Sequence, residues 1–183
     1  MNPWLIDFYN NWTLKVQGIV GQDPSHVYDK YMTSFVIYNN LYNQIPGKLV
    51  ASGVVVPNRI FDNKAATEYV VKFLGAGDIL TEFTNNNLDG DIQTIIDLID
   101  QEVFYIRINF NGRQRNEDLK ILADLKSNNA TKKATGILQV AYYVRCNIFH
   151  GHKNFQEYQR ILVEPLTQII SVLNPMLFNR LNV

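Results

Sequence analysis

Residues 131–150, TKKATGILQVAYYVRCNIFH, carry a long helical pattern of apolar side chains. These side chains recur at intervals of three and four positions, which places them on one face of an α-helix. The residues with this spacing are Ile137, Val140, Ala141, Val144 and Ile148. Gly151 follows, and glycine is favoured just beyond a helix end. The stretch therefore predicts a long core helix that ends near His150.

Two helices are predicted at the N-terminal end of the chain. Residues 3–16 place large apolar side chains at near four-residue spacing. The Asp-Pro pair at 23–24 suits the N-cap and first position of a second helix, which we expect to reach Ile45 and stop at the Pro-Gly pair 46–47. Aromatic residues form the stripe of this second helix, and we expect them in a core or dimer interface: Tyr31, Phe35, Tyr38 and Tyr42.

Residues 49–110 are interpreted as a variable middle segment. Residues 49–56 are rich in β-branched side chains and fit either a short strand or a buried connection. Residues 103–110 alternate loosely and are the best second strand candidate, although they could equally extend the preceding helix. Spacing and capping residues predict helices over 62–74, with Asp62 as the cap, and over 89–101, and an extra turn over 78–83.

The rest of the chain completes a helical bundle. Residues 116–126 predict a helix, and Asn154 is expected to cap a final helix that reaches Leu173 and kinks at Pro165. We see no internal repeat and no linker. The predicted fold class is mainly α, a single domain over 1–183. Its parts are an N-terminal helix (1–20), a bundle (24–173) and a middle segment (49–110) with room for a short β-hairpin.

Composition narrows the class of protein. The chain has 183 residues, of which 46% are hydrophobic, and this favours one soluble globular domain over a disordered chain. Its 17 basic and 17 acidic residues balance, so nucleic-acid binding would need a local basic patch. The single cysteine cannot form an internal disulfide, and no secretion signal or membrane-length apolar run is present. These features predict a cytoplasmic protein without a membrane partner.

The end of the helix over 131–150 carries the densest group of chemically active side chains. The stretch 145–153 reads RCNIFHGHK. Arg145 can hold two phosphate oxygens in a fork, and Asn147 can donate to a phosphate or orient an imidazole. His150 can move a proton near neutral pH. Together these residue types suit chemistry at a phosphate and require no metal.

Further residues of this stretch could bind the substrate, and simpler readings stay open. His152 and Lys153 can supply a second proton carrier and another cation, and Tyr143 can approach a base. Ordinary helix termination also explains basic residues at a helix end. Zinc binding by Cys146 with two histidines is a further alternative. Since positions five apart lie about 140° apart on an ideal helix, Arg145 and the histidine that follows need a helix end or a second subunit to converge.

The stretch 145–153 resembles the signature of the HEPN superfamily, in which an arginine precedes a histidine by a few residues. Its local form is most similar to the Apea-like HEPN group. Residues 35–42 resemble the aromatic-rich early helix of that group, and the order of elements agrees over 24–173. One departure is Cys146, at a position that is often polar in the family. The resemblance implies a helical bundle that dimerises and brings two motifs together.

The same resemblance implies a function. Many HEPN proteins are metal-independent endoribonucleases, and this would make Arg145 the phosphate stabiliser, His150 the general acid/base and Asn147 the orienting group. Cleavage by the 2′-hydroxyl would give 2′,3′-cyclic phosphate ends, with RNA as substrate, no cofactor and a homodimer as the active form. By analogy the protein would act in toxin–antitoxin or antiviral defence with an antitoxin or sensor partner. The alternative is a non-catalytic HEPN module that binds a nucleotide or a protein.

Overall fold

The structure is a computed structural model that describes residues 2–109, 111–149 and 157–182, and side chains from 159 onward in the last range. The chain is mainly α-helical, with one short antiparallel hairpin. The predicted fold class is therefore confirmed, including a short hairpin, which begins in the middle segment and ends just beyond it.

The first two helices are α1 (Pro3–Gln17) and α2 (Pro24–Ala51). The Asp23 side chain caps α2 by accepting from the His26 backbone N–H, as the sequence predicts. The expected end of α2 at Ile45 is wrong, because the helix continues through Pro46 for another turn and more. Burial of Ile45 and Leu49 against the core outweighs the hydrogen bond that an interior proline removes.

The middle segment is mostly helical, in more pieces than the sequence predicts. Its elements are α3 (Asp62–Lys64), the π-helical segment π1 (Ala65–Tyr69), α4 (Val70–Leu74), α5 (Ala76–Asn85) and α6 (Asp89–Asp100). The predicted helices over 62–74 and 89–101 are present, and the extra turn is a helix of ten residues. Gly75, at φ 93°, ends α4 in a conformation that favours glycine.

Two expectations in this region are wrong. Residues 49–56 form neither a strand nor a buried connection, since 49–51 complete α2 and Val55 is 91% exposed. Asp62 is the first residue of α3 rather than its cap, and its carboxylate binds tyrosine hydroxyls instead of backbone N–H groups. Tertiary partners therefore decided the role of this carboxylate.

The hairpin pairs β1 (Ile108–Asn109) with β2 (Gly112–Arg113), and Ile108 lies opposite Arg113. Most of the predicted strand over 103–110 is irregular, because side chains from neighbouring helices, rather than another strand, bind its backbone. The helix α7 (Arg115–Leu125) follows the hairpin. It confirms the helix predicted over 116–126.

The last two helices are α8 (Ala130–Phe149) and α9 (Glu157–Leu181). The long helix predicted over 131–150 is confirmed through Phe149. The expected end of α9 at Leu173 is wrong, because Leu177 and Leu181 remain buried and keep the helix packed past its second proline. Asn154 lies outside the described residues, and the kink at Pro165 stays a prediction.

The core lies between α2 and α9, which pack along each other, with α1 against α2 and α7 against α8. Part of α9, Gln159–Leu181, is long and apolar enough to cross a membrane, but most of this segment is buried inside the bundle. The aromatic stripe of α2 is core, as predicted. Its rings contact one another edge to face in the order Tyr31, Phe35, Tyr38, Tyr42.

Candidate functional site

A cleft of about 410 Å³ opens beside the C-terminal half of α8. Its walls are the start of α3, the segment that leads into β1, and a face of α8 that includes Cys146 and Asn147 of the predicted motif. We call it the α8 cleft. The lining residues that matter most below are Phe61, Asp62, Arg107, Tyr142, Tyr143 and Cys146.

A second opening, of about 730 Å³, lies between the α1–α2 connection and the α5–α6 connection. Amide side chains and charges of both signs line it, including Lys30, Asp91 and Glu164. No residue of the predicted motif borders it within the described parts of the chain. The α8 cleft is therefore the better candidate, because size alone does not bring together residues that can act on a phosphate.

Arg145 lies on α8 directly before Cys146, which lines the α8 cleft, but it is not itself a lining residue. Its guanidinium carbon is 5.4 Å from the ring centroid of Phe35 and 5.4 Å from that of Phe149. Its Nη1 atom makes a long contact of 3.9 Å with the Cys146 sulfur. Among the described residues no carboxylate lies within 4 Å of this guanidinium. Aromatic rings thus position the cation without neutralising it.

Asn147 is turned into the protein. The residue is 4% exposed, and its Nδ2 atom donates to the Ile106 carbonyl oxygen at 2.8 Å. The amide therefore fixes the segment before β1 against α8. Its burial favours a role in positioning over direct contact with a phosphate, and its predicted orientation of an imidazole stays a prediction.

The remaining motif residues, His150, His152 and Lys153, lie outside the described residues, as does Gly151. The convergence of Arg145 and His150 therefore stays a prediction. The helix α8 is regular through Phe149, so a change of direction that brings Arg145 and His150 together would have to follow that residue.

Tyr143 lines the cleft, but its ring already has partners. The Arg107 guanidinium carbon lies 3.9 Å from the Tyr143 ring centroid, and the Tyr142 ring packs nearly perpendicular to it at 5.4 Å. Asn63 donates to the Tyr143 hydroxyl at 3.4 Å. A base would therefore meet the Arg107–Tyr143 pair rather than an open ring. Sequence reasoning missed Arg107 because it lies in an irregular segment with no motif around it.

A buried carboxylate holds this irregular segment from the other side. Asp118 of α7 is fully buried and accepts from the backbone N–H groups of Ile106, at 3.2 Å, and Arg107, at 2.7 Å. Burial raises the pKa of the Asp118 carboxyl, against the opposing effect of these two hydrogen bonds and of the positive charge on Arg115 and Arg107. Together with the bond from Asn147, this contact forms a latch that joins α7 and α8 through Ile106.

Asp62 lies in the wall of the cleft with two tyrosine partners. Its Oδ2 accepts from the Tyr142 hydroxyl at 2.9 Å, and its Oδ1 lies 2.8 Å from the Tyr42 hydroxyl, whose single proton is shared between Asp62 and Asn39 Oδ1. Burial, followed by the hydrogen bond to Asp62, raises the pKa of both phenols, so both remain protonated donors. No sequence signal marked this arrangement, because the three residues come from three separate helices.

Two further arginines lie over aromatic rings, one of them over Phe61 of the cleft lining. Arg59 lies 5.4 Å from the ring centroid of Phe61, and Arg113 lies 3.9 Å from that of Tyr105. Two other arginines, Arg115 and Arg160, form ion pairs with Glu102 and Glu164, which partly neutralise their charges. Of the four arginines that lie over aromatic rings, only Arg107 belongs to the cleft lining; the four are Arg59, Arg107, Arg113 and Arg145.

No three His, Cys, Asp or Glu side chains are placed to share a metal ion in the part of the chain that the structure describes. The zinc alternative depends on His150 and His152, which lie outside that part. Comparison with protein-family models, with curated proteins and with solved structures finds no match for this chain. Any function must therefore be argued from the motif and from the geometry around the α8 cleft.

Proposed function

We propose that this protein is a metal-independent endoribonuclease of the HEPN type. The observation that carries the proposal is Arg145, a cation held by two aromatic rings and without a carboxylate partner among the described residues, directly before Cys146 of the cleft lining. A guanidinium in this setting suits a phosphate, whose two oxygens match its planar donors. Arg107, stacked on Tyr143, supplies a positive charge within the cleft lining.

The reaction follows from the chemistry of RNA. A 2′-hydroxyl loses its proton to a base, and its oxygen bonds to the adjacent phosphorus while the bond from phosphorus to the 5′-oxygen breaks. An acid protonates the leaving 5′-oxygen, which leaves a 2′,3′-cyclic phosphate and a 5′-hydroxyl. In this scheme Arg145 stabilises the phosphate charge and His150 transfers the protons. His152 and Lys153 would contact the substrate, and no cofactor takes part.

The proposal includes a homodimer and a cellular role. Because each chain carries a single motif, two motifs in a cleft between subunits would supply separate groups for the acid and the base. A cytoplasmic effector in toxin–antitoxin or antiviral defence, controlled by an antitoxin or sensor protein, follows from the resemblance to HEPN proteins.

The test is cleavage of a mixed RNA pool by purified protein in the presence of chelator. The wild type should cut RNA and leave 2′,3′-cyclic phosphate ends, and Arg145→Gln and His150→Ala should each lose at least ~100-fold in rate. Arg180→Gln is the matched control, since it removes the same charge from an exposed position on α9, outside the cleft lining. It should cleave like the wild type.

Two results would contradict the proposal. Equal cleavage by all four proteins would assign the activity to a contaminant, and no cleavage by folded, dimeric wild type would remove the catalytic claim. The second result would favour the alternative, a non-catalytic module that binds a nucleotide or a protein partner. The observation that favours this alternative is the inward position of Asn147, which leaves one predicted catalytic group engaged with Ile106.

A further inference from the structure

The orientation of the Asp62 carboxylate is fixed. Its Oδ2 accepts from the Tyr142 hydroxyl, and its Oδ1 lies within hydrogen-bond distance of the Tyr42 hydroxyl, which also contacts Asn39 Oδ1. Both tyrosines belong to long helices that pack in the bundle. Asp62 itself is exposed and lines the α8 cleft. The carboxylate therefore faces the cleft in a defined orientation, unlike a surface carboxylate without partners.

This carboxylate keeps unused acceptor capacity. A carboxylate offers about four lone-pair sites, and the two hydroxyls occupy two of them. Within the described residues no cation lies within 4 Å of Asp62. A negative charge in this position repels a phosphate and attracts a group with N–H donors. The cleft beside Asp62 thus suits a base, and Arg107 in its lining suits a phosphate of the backbone.

The other walls agree with a flat, partly apolar ligand. The Phe61 side chain is 59% exposed next to Asp62, and the stacked pair of Arg107 and Tyr143 lines the same cleft. Aromatic rings and guanidinium planes are the surfaces on which proteins stack unpaired RNA bases. A volume of about 410 Å³ falls within the range of small-ligand sites.

We propose that the α8 cleft binds an unpaired guanine base of the RNA substrate and that Asp62 selects it. Of the four RNA bases, guanine alone presents two adjacent N–H donors on its Watson–Crick edge, N1–H and the N2 amine, and these match the two oxygens of a carboxylate. The inference rests on the proposed ribonuclease function. It adds a substrate class, which is single-stranded RNA with guanosine at the cleavage site.

The first test measures binding of mononucleotides to the wild-type protein by calorimetry. The nucleoside 5′-monophosphates of guanine, adenine, cytosine and uracil share one phosphate and sugar, so differences in affinity report on the base. Guanosine monophosphate should bind tightest. The hypoxanthine analogue, which lacks the N2 amine, and the 1-methylguanine analogue, which lacks N1–H, should each bind roughly 10- to 100-fold more weakly. Affinities of all six within threefold of one another would overturn the inference.

The second test changes the carboxylate. Asp62→Asn keeps the size of the side chain but loses the charge and one acceptor atom, so the preference for guanine should fall at least ~10-fold. Asp7→Asn removes the same charge from an exposed position on α1 and should keep the full preference. Thermal unfolding checks that both variants fold. If Asp62→Asn does not fold, the analogue series on the wild type still decides.

The two proposals can fail separately. Selective binding of guanosine monophosphate without RNA cleavage would keep the base site and remove the ribonuclease function. Cleavage without preference for guanosine at the cut, together with equal mononucleotide affinities, would keep the ribonuclease and overturn the role of Asp62.

Discussion

Two kinds of contact stabilise the protein: the apolar packing between α2 and α9, or the seam, and the hydrogen bonds of the latch at Ile106. Along the seam many apolar side chains from both helices are fully buried, so no single contact is essential. The latch consists of three hydrogen bonds. Asn147 donates one to the Ile106 carbonyl, and Asp118 accepts two, from the backbone N–H groups of Ile106 and Arg107. Distributed packing therefore tolerates local faults, whereas the wall of the α8 cleft depends on single side chains.

Removing one side of the latch should have the largest effect. Asn147→Ala leaves the buried carbonyl of Ile106 without the bond from this amide, and we expect a loss of about 1–3 kcal/mol in the free energy of unfolding. Binding of guanosine monophosphate should weaken too, because the segment with Arg107 is no longer fixed. Urea unfolding and calorimetry measure the two effects.

The control for this variant is Asn128→Ala, which truncates an exposed asparagine in the turn before α8. Its effect should stay within about 0.5 kcal/mol. Equal stability of the two variants would show that Asn147 is dispensable and that the latch is not a separate element.

A change in the seam should have a smaller effect, in the opposite direction. Pro46→Ala restores a backbone N–H inside α2, where the proline leaves the carbonyl of the preceding turn without its helical partner. We expect a gain of about 1 kcal/mol, because packing of Ile45 and Leu49 already holds the helix in place. A loss of stability in urea unfolding would instead mean that the proline shapes α2 for its neighbours.

The pH dependence of the latch should be the smallest effect. Because burial raises the pKa of Asp118 in the folded state, the folded protein binds more protons than the unfolded chain between the ordinary pKa of aspartate and the raised value. The contribution of this group to stability therefore falls as the pH rises through that interval. Urea unfolding across that interval, about pH 4 upward, should show this fall in the wild type and lack it in Asp118→Asn. A rise would mean that the two backbone N–H bonds outweigh burial.

The sequence predicted those elements whose signals are local. The apolar spacing before Phe149 and the cap at Asp23 act over a few residues, and both gave the right helices. Predictions failed where distant residues decided the outcome. Proline at position 46 is a local stop signal, but burial of the next turn overrides it, and Pro175 is overridden in the same way.

The candidate site was predictable only in part, for the same reason. Arg145 was found because its spacing to a histidine forms a motif. The roles of Asp62 and Arg107 arise from contacts with Tyr142 and Tyr143, which lie about 80 and 36 positions away along the chain. No periodicity or spacing reports such a contact. Asn147 was recognised as polar at the right place, but its inward direction depends on a segment 41 positions earlier.

The π-helical segment π1 sets the direction in which Asp62 faces. A π-helical turn accommodates one more residue than an α-helical turn, so it acts as a single-residue insertion between α3 and α4. Deleting one residue from 65–69 would restore regular α-helix and rotate Asp62 by about 100° relative to the buried face of α4. The number of residues in this segment therefore sets the direction of the carboxylate. Deletion of a single codon would turn Asp62 away from the cleft without changing any side chain of the cleft lining.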